Sequence, residues 1–600
     1  MSWRIGKWVL LLVVAGGLTG EPVWSQQAPM CHSNKTMAES PAPESLPPPV
    51  KMTGIGNGSI EITANDEARA WFTQGLNLLH DFWDYESERA FEQAVRSDPK
   101  CAMCYWGLYK AEVFRSTDAP LAQVELDHAV ALKKYAGKAE KLYIDAAVAE
   151  QKSALAAMHP KKKSKKKPNN NAAHVDSAET KILRKLVKLE PEDVQARIFL
   201  AESLRDGFDE KGEPRAGTAE GQRILTELLM QHPDDTAANH YWIHAMEPGN
   251  HPERALESAK KLGRLTPASG HMVHMPGHIF YRTGDYEEAR SSFLASMQVD
   301  EAYMAAQHVG VADDWNYVHN LMYLIADLME GGRVIEAMKI SEKLTKARGD
   351  VGPTLYRQTP RDGLSRLNVE LPVMLRAGAW ESAAQVLKES KSDPELKNLA
   401  DLRESMLEYV QGMSALEHGD VKAAEEQGDA LDAKVKMKPV TGPDDMPGMS
   451  MSMSKDAMAK PVHSYLEVAA QELRASILLA EGRGVESSAM FTKAAESERE
   501  LGYREPPFYI RPVEETRGDA LLRAKLYDEA KQAYEVALKQ RPESGFAIYG
   551  VAQADVRANR RAEATRDYAH LLRVWSNADS DLPQLQAARQ WMEGQAVDGE

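Results

Sequence analysis

Cysteines and basic residues are scarce in this sequence, and both scarcities exclude classes of protein. Three cysteines in 600 residues are too few for a disulfide-dense scaffold. There are 73 Lys and Arg residues against 89 Asp and Glu residues, so the formal net charge is −16. Domains that bind nucleic acids usually present a basic surface, and we therefore expect no nucleic-acid partner. The length is too great for one ordinary core, so it predicts several domain-sized units or an elongated repeat array.

Long apolar runs are absent after the N-terminus, where a membrane helix would need about 18 apolar residues. At the N-terminus, Arg4 and Lys7 precede an apolar run at 8–18, and Val23-Trp24-Ser25 is a plausible cleavage site. This pattern is typical of a secretory signal peptide, with an uncleaved anchor as the alternative. We expect an exported protein, periplasmic or extracellular, without stable membrane insertion after cleavage.

A repeat frame of about 34 residues is the strongest pattern in the chain. Trp71, Gly75, Phe91, Ala94 and Pro99 occupy positions 4, 8, 24, 27 and 32 of that frame, which is the tetratricopeptide (TPR) signature. Small residues let two helices approach, the aromatic residue fills the gap between helix pairs, and the proline ends the second helix. The prediction is an all-α, TPR-type α-solenoid, a superhelix of antiparallel helix pairs.

Composition along the chain predicts six segments. They are a signal peptide at 1–25, a disordered linker at 26–62, an N-terminal TPR array at 63–432 with a basic loop at 159–175, a Met-rich flexible loop at 433–462, a C-terminal TPR array at 463–592, and a tail at 593–600. The lysine run at 161–167 is interpreted as a solvated insertion or as a docking patch for an anionic partner. The Met-rich loop is an oxidisable low-complexity segment or a Cu(I) site, because thioethers are soft ligands.

Histidines are concentrated in the segment from Asn239 to Asn320, which contains eight of the 17 histidines in the chain. His240 and His244 occupy positions 5 and 9 of their repeat, and the same two positions of the next repeat are also histidines, His274 and His278. A spacing of four residues places each pair on one helix face.

Three more residues extend this set. His271 and His319 occupy position 2 of their copies, and Glu247 occupies position 12. Positions 2, 5, 9 and 12 line the concave groove of a TPR array, so the six imidazoles and the carboxylate are predicted to converge there.

Neutral imidazoles on facing helices suit Zn, Cu or Ni ions. Three such ligands leave a coordination position open, and Glu247 is then a ligand or a base that acts on metal-bound water. Asp313, Asp314 and Asn316 are candidate acceptors that orient an imidazole. A polar groove that binds a peptide and a polar packing network stay open as alternatives.

Cys101 and Cys104 form a CxxC motif just after Pro99, at the start of a predicted helix. In an exported protein this motif is read first as a local disulfide. A redox-active thiol pair and a metal site are the alternatives.

The chain resembles a group of large exported bacterial TPR proteins. The resemblance rests on DPKCAMCYWGL (98–108), NHYWIHAMEPGNHPERAL (239–256), GHMVHMPGHIFYRTGDY (270–286), HN (319–320) and PPFYIRPVEETRGDALL (506–522). It implies the TPR fold, export and a site in the His-rich repeats, and it implies no particular reaction.

Two functions from different classes follow. The first is an exported TPR scaffold that binds a protein or peptide segment in its concave groove, with no cofactor. The second is a metalloprotein or metal-dependent enzyme that uses Zn or Cu in the histidine cluster at 240–278. Binding ranks first because a fold does not determine chemistry, and no nucleophile–base motif accompanies the histidines.

Overall fold

The computed structural model describes residues 42–115, 119–158, 175–209, 211–348, 360–391, 396–437 and 459–597. These residues form 26 α-helices, and their β pairing is limited to one isolated bridge between Phe208 and Pro214. The all-α prediction is confirmed. The helices are α1 Asp66–His80, α2 Asp84–Ser97, α3 Ala102–Arg115, α4 Ala119–Leu132, α5 Lys138–Met158, α6 Ala178–Leu189, α7 Val194–Ser203, α8 Ala216–Gln231, α9 Thr236–Met246, α10 Leu256–Leu265, α11 Gly270–Thr283, α12 Tyr286–Gln307, α13 Trp315–Glu330, α14 Val334–Arg348, α15 Pro360–Leu367, α16 Leu371–Ala377, α17 Trp380–Glu389, α18 Lys397–Glu417, α19 Val421–Lys436, α20 Ala459–Ala480, α21 Gly484–Glu500, α22 Val513–Arg523, α23 Tyr527–Gln540, α24 Gly545–Arg557, α25 Arg561–Val574 and α26 Pro583–Val597.

The chain divides into two compact units. The first contains Ser291–Asn320 and the described residues up to Ile279, and the second contains Phe280–Arg290 and the described residues from Leu321 onward. The predicted boundary at 433–462 does not separate these units. Helices α18 and α19 both pack against α20, so the packing of consecutive helices continues past that boundary.

Local sequence sets the helix starts in the first unit. Asn65, Asp193 and Asp235 are N-cap residues, and the side chain of each accepts a hydrogen bond from the backbone N–H three residues later. Such caps satisfy N–H groups that have no partner inside the helix. Helix α9, which contains two of the cluster's histidines, begins at the Asp235 cap.

The TPR frame is visible as contacts between glycines and aromatic rings. A Cβ atom added to Gly75 would lie 2.9 Å from the Phe91 ring, and one added to Gly107 would lie 2.2 Å from the same ring. Gly277 and Phe293 repeat this relationship at 2.4 Å. The aromatic residue at position 24 therefore packs between a small residue of its own helix pair and a small residue of the next helix pair.

The second unit uses the same contacts. Cβ atoms on Gly518 and Gly550 would lie 2.6 Å and 2.3 Å from the ring of Tyr534. Gly378 ends α16 in the left-handed region with φ of 69°, a conformation that glycine adopts without steric cost. Helix pairs of the TPR type thus make up both units.

The predicted disordered linker at 26–62 is wrong for residues 42–62. Leu46 and Ile55 are buried at 5% and 4% exposure, and the backbone N–H of Gly58 donates to Oδ1 of Asn77 at 2.8 Å. This segment covers apolar surface and has partners for its backbone, which a disordered chain lacks. Likewise, α26 continues to Val597, past the predicted start of the tail at 593.

Several predictions concern residues outside the described ranges. These are the signal peptide at 1–25, residues 26–41 of the linker, the lysine run at 161–167 and the methionines at 446–458. Within the described residues, none of the helices combines the length and apolar character needed to cross a membrane.

Candidate metal centre

Six histidines and one glutamate meet where helices α9, α11 and α13 pack together. Helix α9 provides two of them, α11 provides three and α13 provides one, and the glutamate follows the end of α9: they are His240, His244, His271, His274, His278, His319 and Glu247. All seven side chains are 3% exposed or less. The sequence predicted that these side chains meet in the concave groove; they do meet, and they are buried, with aromatic side chains packed against them.

His240, His244 and His271 form the first triad. The Nε2 atom of His240 lies 3.0 Å from Nε2 of His244 and 3.2 Å from Nε2 of His271. Each residue offers one ring nitrogen, and the three lie within 4.8 Å of one another. Nitrogens this close together can share one ion at ordinary Zn–N or Cu–N distances.

His274, His278 and His319 form the second triad. Nε2 of His278 lies 2.6 Å from Nε2 of His274, and one nitrogen from each of the three residues lies within 4.8 Å of the others. The rings of His271 and His274 are stacked with centroids 5.9 Å apart. The two triads are therefore neighbours, and the single cluster predicted from the sequence has two parts.

Glu247 joins the two triads through hydrogen bonds. Its Oε1 accepts from Nδ1 of His244 and its Oε2 accepts from Nδ1 of His278, both at 2.7 Å. Burial disfavours the ionised carboxyl, but the two imidazoles outweigh burial and hold the pKa of Glu247 well below its usual range. The carboxylate thus fixes one imidazole in each triad, as an outer-shell acceptor does in metal sites.

Two asparagines orient the remaining rings of α11. Nδ1 of His271 donates to Oδ1 of Asn316 at 3.1 Å, and Nδ1 of His274 donates to Oδ1 of Asn320 at 2.7 Å. The amide nitrogen of Asn316 donates to Oδ2 of Asp300 at 2.8 Å, and that of Asn320 donates to a backbone carbonyl of α12. These bonds fix each amide with its oxygen toward the imidazole.

The backbone supplies one more acceptor, because Nδ1 of His240 donates to the carbonyl oxygen of His80 at 2.6 Å. With their Nδ1 protons directed to oxygens, five of the six rings turn Nε2 lone pairs toward one another. Lone pairs at these distances repel unless a cation lies among them. Burial first, and neighbouring imidazoles second, lower the pKa of His240 and of His274 well below the usual value. These two rings are therefore neutral in the folded chain, and their Nε2 lone pairs are available to bind a metal ion.

Phe82 covers the first triad and was not identified from the sequence. Its ring centroid lies 4.7 Å from that of His240, 5.3 Å from that of His244 and 5.6 Å from that of His271. Its φ of 56° is in the left-handed region, which is uncommon for a bulky residue. Trp315 Nε1 donates to the Phe82 carbonyl at 3.0 Å and helps to hold this conformation.

The other polar residues predicted near the site differ in position. Asn316 contacts an imidazole as described, while Asp313 accepts a hydrogen bond from Nη2 of Arg115 at 2.9 Å. Asp314 is buried, and burial raises its pKa to about 7. His251 is exposed and hydrogen-bonded to Glu253. The outer acceptors missed from the sequence are Asn320, adjacent to the predicted His319, and the His80 carbonyl, for which no sequence signal exists.

Cys101 and Cys104 are joined in the structure by a disulfide, with their Cα atoms 5.3 Å apart. Cys101 directly precedes α3 and Cys104 is in its first turn, and both are fully buried.

No protein-family model matches the chain, and no curated protein matches it. Among solved structures, it is similar to yeast Tom70, with 12% identity, coverage of 88% of this chain and 96% of that chain, and a TM-score of 0.27. It is also similar to the TPR domain of P58(IPK), with 16% identity, coverage of 67% and 99%, and a TM-score of 0.17. A human IFIT1 dimer with m7Gppp-AAAA gives 12% identity, coverage of 86% and 96%, and a TM-score of 0.32. Identities and TM-scores this low leave the chain's own residues as the basis for a functional assignment.

Proposed function

We propose that the chain is a metalloprotein that holds two metal ions, one in each histidine triad. The observation that supports this most directly is the direction of the ring nitrogens. The Nδ1 atoms of five histidines are engaged by oxygen acceptors, and one nitrogen of each histidine converges with two others inside a buried cluster. Six imidazoles arranged only for packing would not need this shared orientation.

The donor set favours Cu or Zn among the common ions. Each triad offers three neutral imidazole nitrogens, which suit these borderline ions, whereas Mg and Ca prefer oxygen ligands. Three protein ligands leave a fourth position open, as in catalytic rather than structural zinc sites. On this proposal Glu247 is a positioning residue, because both of its oxygens accept hydrogen bonds from the imidazoles.

Elemental analysis of the full chain tests the proposal. The protein is stripped with a chelator, loaded separately with Zn or Cu, desalted and measured for metal per chain. We expect two ions per wild-type chain, one in His240→Ala and one in His274→Ala. His251→Ala is the matched control, because that side chain is exposed and outside both triads, and it should retain two ions. Wild-type protein that is folded by circular dichroism and retains no metal would overturn the proposal.

A protein-binding scaffold is the second candidate, and a cleft in the first unit favours it. The cleft has a volume of about 720 Å³. Its lining includes six carboxylates: Glu61, Glu190, Glu192, Asp193, Asp234 and Asp235. Helical-repeat arrays commonly offer extended binding surfaces, and this charge favours a basic peptide over an acidic one.

Fluorescence anisotropy with a labelled Lys/Arg-rich peptide tests this second function, with a Glu-rich peptide of the same length as control. We expect the basic peptide alone to bind, with weakening in high salt and in the Glu192→Lys, Asp234→Lys double variant. Equal binding of both peptides, or of neither, would exclude the cleft as a peptide site. Export, proposed from Arg4, Lys7 and the apolar run after them, is tested separately by cell fractionation.

A further inference from the structure

The ligand set of the two triads favours an ion of low charge. All of the converging atoms in both triads are imidazole nitrogens, which are uncharged when they coordinate, and the side chains are 3% exposed or less. The cost of burying an ion rises steeply with its charge. Cu(I) has one positive charge, whereas Zn(II) has two. The one carboxylate in the cluster, Glu247, offsets a single charge, so two Cu(I) ions leave less uncompensated buried charge than two Zn(II) ions.

The rings of the two triads lie next to one another, so ions held in the triads would be neighbours. The His244 and His278 rings, one from each triad, have centroids 6.4 Å apart and donate to the same carboxylate, that of Glu247. The rings of His271 and His274, again one from each triad, are 5.9 Å apart. Two neighbouring Cu(I) ions can give up two electrons together, one from each ion.

The surroundings restrict what can reach such a pair. Phe82 covers the first triad, Phe293 lies 4.9 Å from His274, and Trp315 lies 5.1 Å from His271 and 5.8 Å from His319 between ring centroids. Charged molecules would lose their hydration on entry without new polar partners. Apolar walls of this kind favour a small uncharged molecule over a charged one, and dioxygen is the common small uncharged molecule that accepts two electrons.

We propose that the two triads hold a pair of Cu(I) ions that binds dioxygen reversibly. This inference rests on the proposed two-ion function. Each Cu(I) gives one electron and becomes Cu(II), and dioxygen takes up both electrons while its O–O bond stays intact. On release, both electrons return to the copper ions and dioxygen leaves. The cycle consumes no proton and no external reductant.

Oxygen uptake by the copper-loaded full chain tests the inference. Stripped protein is loaded with Cu(I) without air, its copper content is measured, and dioxygen is added in steps. We expect one dioxygen molecule to bind per two copper ions, with loss of the Cu(I) signature in X-ray absorption. The Cu(II) signal in electron paramagnetic resonance should stay small because the two spins couple. Purging with an inert gas should release the dioxygen and restore the Cu(I) signature. His251→Ala should behave as wild type.

The possible failures are distinguishable. Protein that binds two Cu(I) ions and takes up no dioxygen would overturn this inference and leave the two-ion function standing. Protein that binds two Zn ions and no copper would have the same two consequences. Protein that binds neither metal overturns both. His274→Ala, which removes one ligand of the second triad, should retain one copper and lose reversible uptake. Should that variant not fold, the stepwise titration of wild-type protein decides alone.

Discussion

Oε1 of Glu247 accepts a hydrogen bond from Nδ1 of His244 at 2.7 Å. The other carboxylate oxygen accepts from Nδ1 of His278 at the same distance. These two imidazoles belong to different triads and come from different helices, α9 and α11. One buried side chain thus turns the Nε2 atoms of His244 and His278 toward the other imidazoles of their triads.

Replacing Glu247 by Gln should weaken metal binding. A glutamine side chain keeps one acceptor oxygen and presents an NH2 group in place of the other, so one imidazole must move its proton to Nε2, where it blocks the metal. We expect metal affinity to fall by about 10–100-fold, as for other outer-shell substitutions, measured by competition with a chromophoric chelator. Glu253→Gln, at an exposed pair with His251, is the control. Equal affinities in the two variants would show that Glu247 does not orient the ligands.

The metal-free protein should lose stability as the pH is lowered. In the folded chain, burial lowers the pKa of five histidines: His240, His271, His274, His278 and His319. In the unfolded chain, a histidine has a pKa of about 6.5. Below that pH the unfolded chain binds more protons, so the free energy of unfolding falls, by at most about 1.4 kcal/mol per pH unit for each histidine. The lowered pKa of Glu247 acts in the same direction at more acidic pH.

Urea unfolding at a series of pH values from about 7.5 to about 5.5 measures this effect around the unfolded pKa. At saturating metal, the loss of stability should begin at a lower pH, because bound ions compete with protons for the imidazole nitrogens. A free energy of unfolding that is constant or rises as the pH falls would contradict the neutral, buried state of these rings.

Gly518→Ala should destabilise the second unit. The new Cβ atom would lie 2.6 Å from the buried ring of Tyr534, and overpacking of this kind costs about 1–3 kcal/mol. Gly484→Ala is the matched control, because an added Cβ there meets nothing within 4 Å. Thermal unfolding followed by circular dichroism should show a lower transition temperature for the first variant alone. Equal transitions would mean that Tyr534 can move aside.

Arg376→Ala should be more damaging than loss of an exposed arginine. Arg376 is buried and donates through Nε to Glu330 Oε1 at 2.8 Å and through Nη1 to Glu515 Oε2 at 2.7 Å. Its removal leaves two buried carboxylates without this partner, which costs about 3–5 kcal/mol. Arg483→Ala breaks an exposed ion pair with Glu486 and should leave the urea midpoint unchanged. Similar midpoints for both variants would show that the buried carboxylates find other partners.

The sequence predicted the repeat and the grouping of the histidines, because both follow from a regular spacing. His240 and His274 occupy the same position in consecutive repeats, and stacked repeats bring such positions together. The cover over the first triad was not predictable, since it depends on Phe82, whose left-handed backbone has no sequence signature. The separation into two triads was also missed, because it depends on which rings meet across α9, α11 and α13.

The histidines of the cluster come from the first helices of three consecutive pairs. In an ordinary repeat array each pair contacts only its neighbours, so the ends can fray one pair at a time. Ions shared among α9, α11 and α13 would crosslink these pairs, and the chain from 236 to 330 would then open as one cooperative block. Metal supply would in this way set how far unfolding spreads along the array.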